Sequence, residues 1–268
     1  MLESPWIAAA IAVFAWWAST GAILVLVRRA DRVDQHLWAV LATLPLMAFG
    51  IAAFIHSAAE MGTGAAYLAF ASALAVWGWI ELAFLTGIIT GPNRTHLRRG
   101  VPEWERFIRA WGTVAYHEMT LTAALIGLAV LAHGQPNRFG FWTFAILYAA
   151  RISAKLNLYL GVRKVNTQFI PRSLIHLPSH FREARVNWLF PTSVTLLSFA
   201  AFCWLERTTQ AQSAFEAVGF ALLAALTALA LLEHWFMVVR LPDEKLWQWM
   251  LPNDKTRKTL EEGPNAVR

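Results

Sequence analysis

The chain has a single cysteine, Cys203, in 268 residues, and it lies inside a hydrophobic run. One thiol excludes an intramolecular disulfide and any cysteine-rich metal site. Charge is also scarce, at 15% of residues, where a soluble domain carries roughly 25%. The sequence has no phosphate loop, no nucleotide-binding glycine pattern and no exposed nucleophile paired with a base. It shows no internal repeat and no low-complexity tract. Met1 to Pro5 contains Glu3 and no basic residue. A cleavable signal needs a positive start, so the first apolar run is expected to be retained.

Hydrophobic residues make up 57% of the chain and come in blocks of about twenty, the length that crosses a bilayer. The expectation is an all-α, polytopic helical bundle of about seven transmembrane helices. Backbone groups in lipid must bond within their own segment, and a helix does this. The expected spans are Trp6–Val27, His36–His56, Ala65–Thr90, Phe107–Ala132, Phe139–Leu160, Trp188–Glu206 and Ala214–Val239. Residues 1–252 form the single bundle, and residues 253–268 a polar, frayed tail that follows Trp247 and Trp249. Trp6, Trp38, Trp142 and Trp188 lie near segment ends, where indoles favour the headgroup region.

The net charge of +6 comes from the location of the bases. Arg28, Arg29 and Arg32 follow span one; Arg94, Arg98, Arg99 and Arg106 follow span three. Arg163, Lys164, Arg172, Arg182 and Arg185 follow span five, and Arg240 opens the basic tail. The alternate loops hold only Arg138 and Arg207. This asymmetry predicts a periplasmic N-terminus and a cytoplasmic C-terminus. It explains the high pI without nucleic acid and allows contact with anionic membrane lipids. Between spans three and four, Pro102-Glu103-Trp104-Glu105 predicts an amphipathic start to span four. Residues 161–187, with Phe169, Ile170, Leu174, Ile175, Leu177 and Phe181, predict a short interfacial helix with turns. His176 and His180 are four apart, but Pro178 between them disfavours a regular helical pair and a metal role.

Ionisable groups at membrane depth are costly and are kept where they face the protein interior. Glu81 lies in span three, His117 and Glu118 in span four, Arg151, Lys155 and Asn157 in span five, and Glu233 and His234 in span seven. Counted from the cytoplasmic ends at 1.5 Å per residue, they fall roughly 9–15 Å deep, which predicts one buried polar layer. Three uses compete. It is a charge-balanced network with the histidines as hydrogen-bond partners. Or Glu81, His117, Glu118, Glu233 and His234 supply ligands to a di-metal centre. Or an imidazole coordinates a tetrapyrrole. The metal reading is weakened because His117-Glu118 and Glu233-His234 are adjacent, pointing ~100° apart around a helix. A second pair, His56 and Glu60, sits near the opposite face, four residues apart if the helix continues.

Several stretches resemble one family. They are Trp77-Gly-Trp-Ile-Glu-Leu-Ala-Phe-Leu-Thr-Gly87 followed by Gly91-Pro92, then Tyr116-His117-Glu118, then Gly134-Gln-Pro-Asn137. Further on come Arg151-Ile-Ser-Ala-Lys-Leu-Asn157, Leu189-Phe-Pro191 and Leu232-Glu-His-Trp-Phe236. Together they look like the photosynthetic complex assembly protein 2 family, PuhE, from about span two to Trp249. The resemblance implies a protein of the bacterial inner membrane. Such a protein assists assembly of the reaction centre and light-harvesting subunits, or adjusts bacteriochlorophyll supply. It implies partners among those subunits and carries no catalytic residue. An assembly factor without turnover is the main expectation. The alternative is a metal-dependent membrane enzyme acting on a lipophilic tetrapyrrole or pigment precursor.

Overall fold

A computed structural model describes residues 2–98, 100–165, 167 and 170–239. The polar tail, Trp247, Trp249 and Phe169 lie outside them. Seven long helices follow one another: α1 (Pro5–Val33), α2 (His36–Ala58), α3 (Thr63–Leu85), α4 (Glu103–Leu131), α5 (Phe139–Leu160), α6 (Leu189–Thr209) and α7 (Ala214–Phe236). Six of them are long and apolar enough to cross a membrane. The seventh, α5, has the length but carries Arg151, Ser153, Lys155 and Asn157 in its second half. Among the described residues there is no strand, only one isolated bridge between Val162 and Glu183.

Helices α3 and α7 are the most enclosed of the spans and α6 the least. Two apolar clusters hold the bundle. One joins Ala8 and Ala12 of α1 to Phe70 of α3, Phe139 of α5 and Leu222 and Leu226 of α7. The other joins Phe54 of α2, Val76 and Ile80 of α3, Leu121 and Leu128 of α4 and Phe144 of α5. Lipid tails are as apolar as leucine, so small residues that admit close packing do much of the joining. At Gly219 a Cβ would lie 2.1 Å from the Phe139 ring, so this ring packs directly on the α7 backbone. Trp6, Trp38 and Trp188 are each at least 66% exposed, in keeping with a membrane-interface position.

Helix α3 stops at Leu85, short of the apolar run that continues to Thr90. The cause is Gly87, at φ +81°. Its N–H donates to the Phe84 carbonyl and that of Ile88 to the Ala83 carbonyl, the paired bonds of a Schellman stop. Hydrophobicity carries no signal for this, because the chain stays apolar while it leaves the helix. The released segment turns back along α4: His117 N–H donates to Thr90 O and Asn93 N–H to Gly112 O, each at 2.9 Å. Irregular backbone at this depth is tolerated because protein, not lipid, surrounds it. Helix α4 begins at Glu103 behind Pro102, with Glu103 and Glu105 in its first turn, where carboxylates complement the helix dipole.

The described residues of 161–187 are not an interfacial helix. They form two short 3₁₀ turns, Arg172–Leu174 and Leu177–His180, and Leu174 and Leu177 are buried against Phe84. The segment is a plug across this end of the bundle. The short turns follow from Pro171 and Pro178, which break any longer helix. Arg106 fastens the plug. It is 7% exposed, donates to the carbonyls of Tyr159 (2.7 Å) and His180 (3.4 Å), and lies 4.1 Å from the Tyr159 ring centre.

His176 and His180 are buried in the plug. Burial, then the neighbouring His180, His96 and Arg94, hold the His176 pKa below the imidazole norm. Burial lowers that of His180 too, the Thr95 carbonyl opposes it, and Arg106, His96 and Arg109 add to the lowering. The folded plug therefore favours the neutral form of both rings. Their contribution is full above the unfolded imidazole pKa of ~6.5 and is lost as pH falls below it. Hydrogen exchange across 170–181, corrected for intrinsic rates, is expected to quicken as pH drops from 7.5 toward 5, on the basis of that ~6.5 midpoint. A His176→Gln/His180→Gln variant should flatten the dependence. Unchanged protection in the unmodified protein contradicts the assignment.

Candidate functional site

Helix α5 places Arg151 and Lys155 one turn apart on one face. Arg151 Nη2 donates to Glu81 Oε2 of α3 at 2.6 Å, and Lys155 Nζ bonds to Glu118 of α4. The carboxylates are the enclosed partners: the side chains of Glu81 and Glu118 are 9% and 4% exposed, those of Arg151 and Lys155 36% and 21%. Phe84 stands between the pairs. Its ring lies 4.3 Å from the His117 ring and 5.1 Å from Lys155 Nζ, close enough for a cation–π contact.

His117 is fully buried. Its Nε2 lies 3.7 Å from Glu81 Oε1, beyond hydrogen-bond reach. Neither ring nitrogen has a hydrogen-bond partner, and the same holds for Glu81 Oε1, Glu118 Oε2, Thr90 Oγ1 and Arg151 Nε. Buried polar atoms are normally satisfied, so unmet hydrogen-bonding capacity is concentrated here.

The other expected members lie apart. Glu233 of α7 accepts from Trp16 Nε1 of α1 at 3.1 Å and makes no ion pair among the described residues. His234, next in sequence but ~100° around the helix, faces elsewhere. Its Nδ1 sits 2.8 Å from the Ala230 carbonyl and its Nε2 2.9 Å from Ser153 Oγ. A carbonyl can only accept, which puts the proton on Nδ1 and occupies Nε2 with the serine hydroxyl. Asn157 donates to Ser153 O and Ser193 Oγ and accepts from Asn187, tying α5 to the start of α6. The eight residues thus separate into an ionic cluster of Glu81, His117, Glu118, Arg151 and Lys155, a lone Glu233, and the His234–Ser153–Asn157 seam.

The proposed metal ligands do not share one coordination sphere. Lys155 engages Glu118 and Ser153 engages His234. Among the described residues no three His, Cys, Asp or Glu side chains are placed to hold a metal ion. The pair His56–Glu60 is not formed on a helix either: α2 ends at Ala58, and both side chains are exposed.

Among the described residues, two cavities flank the cluster. The larger, about 450 Å³, lies among α1, α3, α5 and α7 and is lined by Trp16, Glu81, Phe84, Arg151 and Glu233, with Leu174 and Leu177 of the plug. The smaller, about 210 Å³, lies between α4, α5 and the plug and is lined by Trp111, Glu118, Arg151, Lys155 and His180. Arg151 and Phe84 border both. Sequence reading assigned Trp16 no role and made Arg106 a topogenic base. For Trp16 a signal exists, since Ser19 and Thr20 place further polar groups on the same α1 face at i+3 and i+4.

No solved structure matches the chain. A relative from Rhodobacter capsulatus, bearing the name "uncharacterized 30.4 kDa protein in puhA 5′ region", is 53% identical over 270 residues, covering 99% of this chain and 98% of its own. A family model described as "Protein of unknown function (DUF3623)" matches residues 2–258. This chain, matched along nearly its whole length, belongs to the DUF3623 family.

Proposed function

We propose that the protein is an assembly factor of the PuhE kind for the bacterial reaction centre and light-harvesting complex, or a modulator of bacteriochlorophyll supply, acting without turnover. The observation that carries this reading is the printed name of the 53% identical relative, which places that protein in the puhA 5′ region of a photosynthetic bacterium. A multi-pass helical fold is compatible with it. Helices α4 and α6 carry outward rows of large apolar side chains, among them Met119, Ile126, Leu196 and Phe202, a surface that lipid or a membrane subunit can cover. The closed pairs Arg151–Glu81 and Lys155–Glu118 suit a structural centre better than a reactive one. The test is complementation in R. capsulatus lacking the relative. That strain should show reduced or misproportioned reaction-centre and antenna absorbance. This chain should restore it, and the tagged chain should copurify with those subunits. A normal spectrum in the deletion strain, with no subunit retained, overturns the proposal.

The same reading assigns seven spans in the inner membrane, α5 included, with the N-terminus periplasmic and the C-terminus cytoplasmic. Enclosure among α3, α4 and α7 allows α5 to keep its charges. In a Cys203→Ala background, an impermeant maleimide is expected to label Glu60→Cys in intact spheroplasts and Arg98→Cys only after lysis. The reverse pattern inverts the topology.

A further inference from the structure

The larger cavity has a chemical bias that the assembly reading does not use and does not depend on. Its volume, about 450 Å³, falls within the range of small-molecule sites, ~300–1,000 Å³. Most of its wall is apolar, supplied by Ile23, Leu74, Leu147 and Leu226 among others; its charged groups are Glu81, Arg151 and Glu233, with the hydroxyls of Ser19 and Thr20 also in the wall. Three acids, Glu81, Glu118 and Glu233, stand against two bases, Arg151 and Lys155, and both bases are committed to Glu81 and Glu118. Glu233 is the acid left over. It is exposed, lines the cavity and, among the described residues, accepts a hydrogen bond only from the Trp16 indole. Beside it, Glu81 is 7% exposed and also lines the cavity; its Oε2 accepts from Arg151 and its Oε1 is enclosed 3.7 Å from His117. The cavity therefore sets two carboxylates against one guanidinium within a mostly apolar wall.

We propose that this cavity binds a single-chain lipophile whose polar end carries no negative charge, a hydroxyl or an amine, and donates a hydrogen bond to Glu233. Arg151 is bonded through Nη2 to Glu81, which offsets its charge. A carboxylate-headed lipid is disfavoured because it would add a fourth negative group in a low-dielectric site whose cations are already paired. A tetrapyrrole held through its metal by an imidazole is not served either, since among the described residues no histidine lines this cavity. His117 is closed off behind Phe84, and His234 spends Nε2 on Ser153.

Trp16 and Trp77 line the chamber, so a brominated ligand seated there quenches their fluorescence by contact. The full chain in mild detergent is titrated with dibromostearyl alcohol, dibromostearyl amine and dibromostearic acid. The alcohol or the amine should quench at lower concentration than the acid, and Trp16→Phe should remove part of that quench. Glu233→Leu removes a carboxylate that makes no ion pair among the described residues, so it should fold. It should raise the Kd of the preferred ligand about tenfold, equivalent to ~1.4 kcal/mol. Stronger binding of the alcohol distinguishes a neutral head, and of the amine a cationic one; either supports the proposal. The acid binding as tightly as both overturns it. So does an unchanged Kd in folded Glu233→Leu. The ligand preference of the unmodified protein decides the matter if that variant fails to fold.

Discussion

Lys155→Met is expected to destabilise the protein by about 3–5 kcal/mol, the cost of breaking a buried ion pair by removing one partner. The methionine keeps the apolar stem of Lys155 but leaves the Glu118 carboxylate, 4% exposed, without a cation. Arg151 cannot substitute, because it is bonded to Glu81. Glu118→Gln should cost less, since the side chain of Lys155 is 21% exposed and its ammonium still faces the Phe84 ring. The double variant Lys155→Met/Glu118→Leu should recover most of the loss, because removing both charges leaves none stranded. Thermal unfolding in detergent, followed by tryptophan fluorescence, gives the order. If Glu118→Gln proves worse than Lys155→Met, the assignment of Glu118 as the dependent partner is wrong.

Gly91→Ala should have an effect of similar size by a different route. A Cβ at Gly91 would stand 2.1 Å from Gly112 O and 2.8 Å from Thr113 C, both backbone atoms of α4. A side chain can rotate away from such a clash; a helix backbone has to move as a body. Displacing the segment gives up the bonds from Asn93 N–H to Gly112 O and from His117 N–H to Thr90 O. Overpacking costs ~1–3 kcal/mol, and each lost hydrogen bond adds about 0.5–1.5. Gly62→Ala is the matched control, with nothing within 4 Å of its Cβ. The two variants are compared by the fraction that stays monodisperse after extraction. Equal yields mean that the loop does not bear on α4 as described.

These two sites differ in how far they can be read from the residues alone. The charged side chains at membrane depth are visible because lipid makes them anomalous. Their partners are not visible, because adjacent residues on a helix diverge by ~100°. His117 faces Phe84 while Glu118 faces Lys155, and Glu233 and His234 part in the same way. Depth along a helix follows from counting; rotation about it depends on which neighbours pack there. The Gly91 contact is hidden for a related reason. An apolar run to Thr90 reads as helix to its end, and only the Gly87 turn, followed by the docking of 88–93 on α4, shows otherwise.

Residues 161–187 make the same point from the other side. Prolines and scattered apolar residues specify short turns, but whether those turns lie on the membrane or plug the bundle depends on what the bundle leaves open. Leu174 and Leu177 enter because Phe84 offers an apolar face there, and Arg106 reaches carbonyls that the chain ends of α5 and the second 3₁₀ turn leave free.

By itself the sequence determined that this chain is all-helical and membrane-embedded, since apolar runs of bilayer length leave the backbone no other partner than itself. It also determined which residues are too polar for lipid. Only the tertiary structure decided that two bases neutralise two of three acids and that the third faces a chamber among four helices. Charge pairing acts over a few ångströms between side chains far apart in the chain, and no spacing along one helix encodes its rotation against another.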